Sequence, residues 1–214
     1  MQRVNAQQVD LLVATHAHAD HIGGADEVIR ATKVLRVLDS GVPNTTKSYE
    51  DFLTAIDESG AQYVRAEPGQ KFDLGDGVQL TVLAPYQPFF TKEQLRAGGN
   101  EPNANSVVTR LDYGSFSMLL TGDAEEQTEQ RIISNGGDVK ATILKVGHHG
   151  SRHATSEDFL RAGRFAEAII SASADNRYGH PSPQVLDRLR AAGIKVYRTD
   201  LQGEVTIILT RQRL

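Results

Sequence analysis

The sequence contains no cysteine. Disulfides, thiolate metal sites and cysteine nucleophiles are therefore excluded, and any metal must be held by histidine and carboxylate. No apolar run approaches the roughly 18 residues needed to cross a bilayer. The opening Met1-Gln2-Arg3-Val4-Asn5 has no apolar signal core. As written, the chain is expected to be soluble and cytoplasmic. An excess of positive charge is also missing: the formal net charge is −4, which argues against gripping nucleic acid over the whole surface but leaves room for a local basic patch. Internal repeats, low-complexity tracts and linkers are absent too. The 214 residues, 39% hydrophobic and 23% charged, suit one globular domain over 1–214.

Val9–Thr15 is a short apolar run that reads as a buried strand. Gly23-Gly24 breaks the chain, Ala25–Arg30 reads as a short helix and Val34–Leu38 as a strand. Tyr49, Phe52, Leu53 and Ile56 recur at helical spacing, with Gly60 as the stop. Val78–Leu83 alternates like a strand, and 85–102 is an irregular loop rich in Pro, Gly and Asn, placed near the site. Ser106–Leu111 and Phe116–Thr121 flank Asp112-Tyr113-Gly114-Ser115 as a hairpin. Glu125–Asn135 is an expected helix, Ile143–Val146 a strand, Ser156 the cap of a helix to Ala162, and Ala168–Ser171 a strand. Ser182-Pro183 is a cap with proline at the first helical position, leading to Ala192 and Gly193. Val196–Arg198 and Val205–Leu209 are the last expected strands. Mixed hairpin and crossover links point to α/β layers.

What is abundant is histidine in clusters. The run His16-Ala17-His18-Ala19-Asp20-His21 follows the first strand directly. Side chains two apart on an extended segment point the same way, so His16 and His18 can close on one ion. Asp20 and His21, past the bend, can reach a second. Solvated surface histidines are the plain alternative, but so many ligand types seldom gather after a buried strand. Asp123, in Thr121-Gly122-Asp123 at the end of another strand, can bridge both ions, although Gly-Asp alone is a common turn. His148 and His149 follow a third apolar strand. Neighbouring side chains diverge, so one ligates and the other orients substrate or a ligand; which is which stays open.

Asn176-Arg177-Tyr178-Gly179-His180-Pro181 reads as an anion-binding or proton-donating loop, against a merely exposed turn. Lys145 and Arg152 can supply charge for a phosphate or simply be solvated. His153 reads as a surface residue. The chemistry these residues imply is hydrolysis by a metal-bound hydroxide, with two divalent ions, zinc or manganese. Asp20, His149 and His180 are the candidates for catalytic roles, His148 being a further possible proton donor. Lys145, Asn105, Asn176, Arg177 and Tyr178 are the candidates for substrate binding.

The HxHxDH run resembles the mark of the metallo-β-lactamase superfamily. Leu119-Leu120-Thr121-Gly122-Asp123, Leu144-Lys145-Val146-Gly147-His148-His149-Gly150-Ser151 and Asn176–Pro181 resemble the soluble C-terminal domain of ComEC-type competence proteins, with phosphorylcholine esterases similar. The resemblance implies an αββα sandwich with metals at one edge. It also implies His16, His18, Asp20, His21 and Asp123 as ligands, with one of His148 and His149 beside them. It favours a phosphodiesterase or nuclease acting on DNA, linked to DNA uptake in competence. An ester, lactone or lactam hydrolase, and an inactive metal- or nucleic-acid-binding module, are the rivals.

Two departures matter. The stretch from Ile22 to Gly122 holds no histidine, where many members carry one, and Asn103 or Asn105 is expected in its place. The family has two or three strands before HxHxDH, but fifteen residues precede His16. Either the chain is a fragment, or the first sheet is incomplete, or another segment replaces the missing strands. A fragment of a ComEC-type protein would lie outside the cytoplasm. Oligomeric state is not legible.

Overall fold

The computed structural model describes residues 6–209, so Met1–Asn5, read above for a signal core, lie outside the described residues. Two β-sheets pack face to face and carry helices on their outer faces. The smaller sheet has β2 (Leu12–Ala14), β4 (Arg36–Asp39) and β5 (Gln62–Arg65), all parallel, in the order β2-β4-β5. Beside it, β1 (Gln8–Val9) pairs with β3 (Lys33–Val34). The larger sheet has seven strands among the described residues, in the order β12-β11-β10-β9-β8-β7-β6. They are β6 (Lys71–Asp73), β7 (Val78–Ala84), β8 (Val108–Tyr113), β9 (Phe116–Leu120), β10 (Ile143–Lys145), β11 (Glu167–Ile170) and β12 (Lys195–Arg198). β6 to β9 form an antiparallel meander, and β9 to β12 run parallel.

The two-residue period of a strand builds the layers. Val37 faces the outer cluster that contains Ile22, Ile29, Phe52 and Ile56, on α1 (Ala19–Ile22), α2 (Ala25–Ala31) and α3 (Lys47–Ser59). Its neighbour Leu38 faces the inter-sheet cluster with Phe72, Leu80, Val82 and Val107. On the other sheet, Leu120 faces inward to that cluster. Leu119 faces outward to α5 (Glu126–Ser134), α6 (Glu157–Gly163) and α7 (Pro183–Ala191) through Ile132, Phe159 and Leu189. The result is the expected αββα sandwich.

Local signals operate where they were read. Ser156 Oγ accepts from Phe159 N and Ser182 Oγ from Val185 N. The hairpin closes with Tyr113 opposite Phe116. Three readings change. The run Val9–Thr15 is two short strands rather than one, because Gln8–Val9 pairs with β3 whereas Leu12–Ala14 shifts to β4. The loop 85–102 contains a 3₁₀ turn at Lys92–Gln94 and runs into the short helix α4 (Glu101–Ala104). Val205–Leu209 is not a strand. The chain leaves β12 through α8 (Thr199–Gln202), and the alternating apolar residues that follow pair with no strand among the described residues; Ile208 is 80% exposed. The polar edge strands β5 and β6 carry no strong apolar pattern and were not anticipated. No helix of the described residues is long and apolar enough to cross a membrane.

One buried carboxyl ties α5 to α6. Glu129, 2% exposed, accepts backbone N–H groups of Thr155 and Ser156 at the start of α6. Burial pushes its pKa up to about 7, against the opposing effect of those N–H donors. The folded state therefore holds this proton where the unfolded state has released it. The stabilisation is complete below the unfolded value of 4.5 and is lost as pH rises through about 7. Thermal unfolding of the metal-free protein followed from pH 5 to pH 8 is expected to show Tm falling with pH on this account. Glu129→Gln should flatten that slope, and an unchanged slope would contradict the assignment.

Candidate metal centre

The site lies where β2 and β9 end side by side. After Ala14 the chain leaves β2 through Thr15 and His16. His18 keeps an extended backbone and begins α1, which carries Asp20 and His21. Thr15 Oγ1 sits 3.1 Å from His16 Nδ1 and 3.3 Å from His21 Nδ1, so one hydroxyl steadies two rings. Gly122, with φ of +53°, allows the end of β9 to approach this exit: a Cβ there would lie 2.9 Å from Thr15 Cβ. The backbone N–H of the next residue, Asp123, donates to Ser106 Oγ at 3.2 Å; the same hydroxyl lies 3.3 Å from His16 Nδ1.

Two groups of ligand types result: His16, His18 and Asp123, and Asp20, His21 and His149, each with its donor atoms within 4.8 Å of one another. In the first, His16 Nε2 is 3.0 Å from His18 Nδ1 and 3.6 Å from Asp123 Oδ2. In the second, His21 Nε2 is 3.2 Å from His149 Nε2, and Asp20 Oδ2 is 3.7 and 3.4 Å from these two nitrogens. Asp123 joins the groups, since its Oδ1 lies 3.2 Å from His21 Nε2 and 3.5 Å from His149 Nε2.

The electrostatics suit a cation. Burial, followed by His21, pushes the pKa of His16 down to about 3, and burial also lowers His18. Burial alone would raise Asp123, but His21, then His149 and His16, hold its carboxyl well below the usual range. At neutral pH His16 and His18 are thus neutral and Asp123 ionised, the forms that bind metal. Asp123 Oδ1 is buried and lacks an aligned hydrogen-bond donor. An orphaned carboxylate oxygen facing imidazole lone pairs is costly unless positive charge lies between them. These residues fit divalent metal.

The groups open on a cavity of about 1070 Å³. His148 and His149 both have positive φ, 45° and 53°. His149 Nδ1 donates to the Ser171 carbonyl at 2.9 Å, and His148 Nδ1 lies 3.1 Å from Glu125 Oε1. His180 lines the cavity with its ring 5.5 Å from His148, and burial lowers its pKa. Tyr178, 84% exposed, stacks on His180 at 6.0 Å on the cavity rim.

Other expected substrate contacts are not brought here. Lys145 donates its Nζ to the Val146 carbonyl and is not a lining residue; burial lowers its pKa. Arg177 is exposed away from the cavity lining. Asn176 braces its own loop through Ser173 O and both backbone groups of His180. Asn105 is a buried clamp on Phe90 and Glu101, whereas Asn103 lines the cavity 3.3 Å from His148 Nε2. Arg152 does line the cavity, and His153, read as a surface residue, lines it too. Missed were Arg96, in the loop placed near the site, and Glu125, two residues beyond Asp123. Both line the cavity, and Arg96 Nη2 donates to Glu125 Oε1 at 2.9 Å.

Comparison with known proteins gives the family of the chain. The profile of the metallo-beta-lactamase superfamily matches residues 1–174. The chain is 36% identical over 200 residues to ComE operon protein 3 of Bacillus subtilis, covering 93% of this chain and 24% of that protein. It is 30% identical over 206 residues to Recombination protein 2 of Haemophilus influenzae, covering 96% and 23%. The chain thus spans about a quarter of the length of these curated relatives. Among solved structures, the diiron β-hydroxylase CmlA from Streptomyces venezuelae superposes with a TM-score of 0.57 at 15% identity, covering 90% of this chain and 44% of that one. The metallo hydrolase Igni18 from Ignicoccus hospitalis does so at 0.51 and 17%, covering 88% and 75%. At such identities the likeness is one of fold. With a profile match over most of its length and the HxHxDH histidines gathered around Asp123, this chain belongs to the metallo-beta-lactamase superfamily.

Proposed function

We propose that this chain is a metal-dependent phosphodiesterase that cleaves DNA. The observation that carries the reading is the pairing of two ligand groups across Asp123 with a cavity walled by Arg96 and Arg152. His16, His18 and Asp123 would hold one divalent ion, and Asp20, His21 and His149 the other. Zinc and manganese both suit such a donor set. Bound there, the ions supply Lewis-acid polarisation of a phosphoryl oxygen and a nucleophile available at neutral pH.

The rest falls to the protein. Arg152, beside His153 on the cavity wall, offers a planar fork of donors to phosphate oxygens. His180, half-buried on the same wall, offers a ring nitrogen as hydrogen-bond partner to the group that leaves. Tyr178, backed by the His180 ring, presents an open π-face on which a base of a single strand can stack. A carbonyl substrate such as an ester, lactone or lactam makes no use of that combination of arginine and exposed aromatic. The printed names of the relatives, competence and recombination proteins among them, support a nucleic-acid substrate.

The discriminating measurement is turnover of bis-p-nitrophenyl phosphate, a single-stranded DNA oligonucleotide and a chromogenic lactam, with manganese or zinc supplied. Cleavage of both phosphodiesters is expected. Hydrolysis of the lactam alone would refute the reading, and no turnover with metal bound would favour a binding module. Asp123→Ala and His18→Ala should each lower phosphodiester turnover by about a hundredfold or more while the fold survives, because ligands should matter at least as much as the groups that orient them.

Tyr178→Ala separates the strand from the reacting bond. Loss of one stacking contact, worth roughly 1–3 kcal/mol, should raise KM for the oligonucleotide and leave bis-p-nitrophenyl phosphate kinetics unchanged. Equal effects on both substrates would remove Tyr178 from strand binding.

A further inference from the structure

Consecutive histidines at 148 and 149 face opposite halves of one carboxylate. His149 Nε2 lies 3.5 Å from Asp123 Oδ1, the oxygen turned to His21. His148 Nε2 lies 3.8 Å from Asp123 Oδ2, the oxygen turned to His16. The rings are 6.3 Å apart and 70° out of plane, an outcome of the left-handed backbone at both residues. A separation of 3.8 Å is too long for a hydrogen bond. It does fall inside the roughly 4 Å that is the widest separation of two donor atoms each about 2 Å from one ion.

Each ring is held by its far nitrogen. The Ser171 carbonyl on His149 Nδ1 can only accept, so that ring carries its proton on Nδ1 and leaves the Nε2 lone pair toward Asp123. Glu125 does the same for His148. Its side chain, 1% exposed, stands at the N-cap of α5 but makes no cap hydrogen bond; it turns instead to the His148 ring, with Arg96 as counter-charge. Glutamate is not among the residues that cap a helix well, and this buried carboxylate meets the ring and the Arg96 guanidinium instead.

We infer that His148 completes the first ligand group, beside His16, His18 and Asp123, and that Glu125 is the positioning residue that fixes its Nε2 toward that group. This rests on the metal-dependent reading above. His148 comes from the end of β10, in the sheet opposite the one that carries His16 and His18, and meets the group at Asp123 Oδ2. The two halves then have equal protein support, each with its own set of side chains and one oxygen of Asp123.

The test reads metal binding without substrate. The full chain, stripped with a chelator, is titrated with zinc in competition with a chromophoric chelator, and its metal-free melting temperature serves as the fold control. Wild type is expected to bind two ions. His148→Gln should weaken one of them and His149→Gln the other, with the double variant weakening both. Glu125→Ala should weaken the same ion as His148→Gln, by roughly tenfold to a hundredfold. Glu125→Gln, which keeps an acceptor oxygen for Nδ1–H, should lie between Glu125→Ala and wild type. If Glu125→Ala fails to fold, His148→Gln and Glu125→Gln decide. Two ions at wild-type affinity in His148→Gln, or equal weakening of both, overturns the inference while the proposed function stands. A wild type that binds fewer than two ions overturns both.

Discussion

A buried carboxylate flanked by imidazole nitrogens is the constraint around which this molecule is organised. Asp123 sits 2% exposed with one oxygen toward each ligand group and no aligned donor on Oδ1. Four rings reach it from two segments of chain, His16 and His21 from one and His148 and His149 from the other. Such an arrangement of negative charge and lone pairs is unfavourable in a low-dielectric pocket unless a proton or cation fills it. The pKa directions make the proton a poor solution: His16 is driven toward neutrality by burial, and Asp123 toward ionisation by its neighbours. A divalent ion on each side would satisfy both.

The scaffold meets that demand through strand ends. β2 and β9 belong to different sheets, and the inner faces of those sheets share one apolar cluster containing Leu38, Val82 and Val107. Packing the sheets brings the ends of their strands together, which places His16 beside Asp123. β10, parallel to β9 in register, delivers His148 and His149 one strand further along the same edge. Small hydroxyls finish the alignment. Ser106 bridges Asp123 to His16, and Thr15 bridges His16 to His21. Close approach at Gly122 is needed because any side chain there would collide with Thr15. Core packing and site geometry are therefore coupled, and the rigid parts of the fold carry the ligands while loops carry the cavity rim.

Much of this was legible in the order of residues. Strong apolar runs named β7, β8 and β9, capping serines named α6 and α7, and the His-rich segment after β2 named the candidate metal site. Where polar edge strands lacked an apolar signal, as in β5 and β6, pattern reading passed over them. Where an alternating segment lacked a partner, at Val205–Leu209, it named a strand that does not form. Strand formation depends on what lies alongside, and that is not local. The same limit governed the cavity. Lys145, Arg177, Asn105 and Asn176 had the right chemistry but point to backbone, solvent or their own loops. Arg96 and Glu125 had no motif of their own.

Sequence by itself determined the donor types, their clustering at three strand ends, and the layered fold that follows from residue periodicity, because those depend on spacing along the chain. Only the tertiary structure decided how the clusters divide. Asp123 turning one oxygen to each group, His148 and His149 parting to opposite sides, and Glu125 meeting the His148 imidazole are relations among segments far apart in the chain. They are set by sheet packing and by backbone conformations at two residues, which no local pattern encodes.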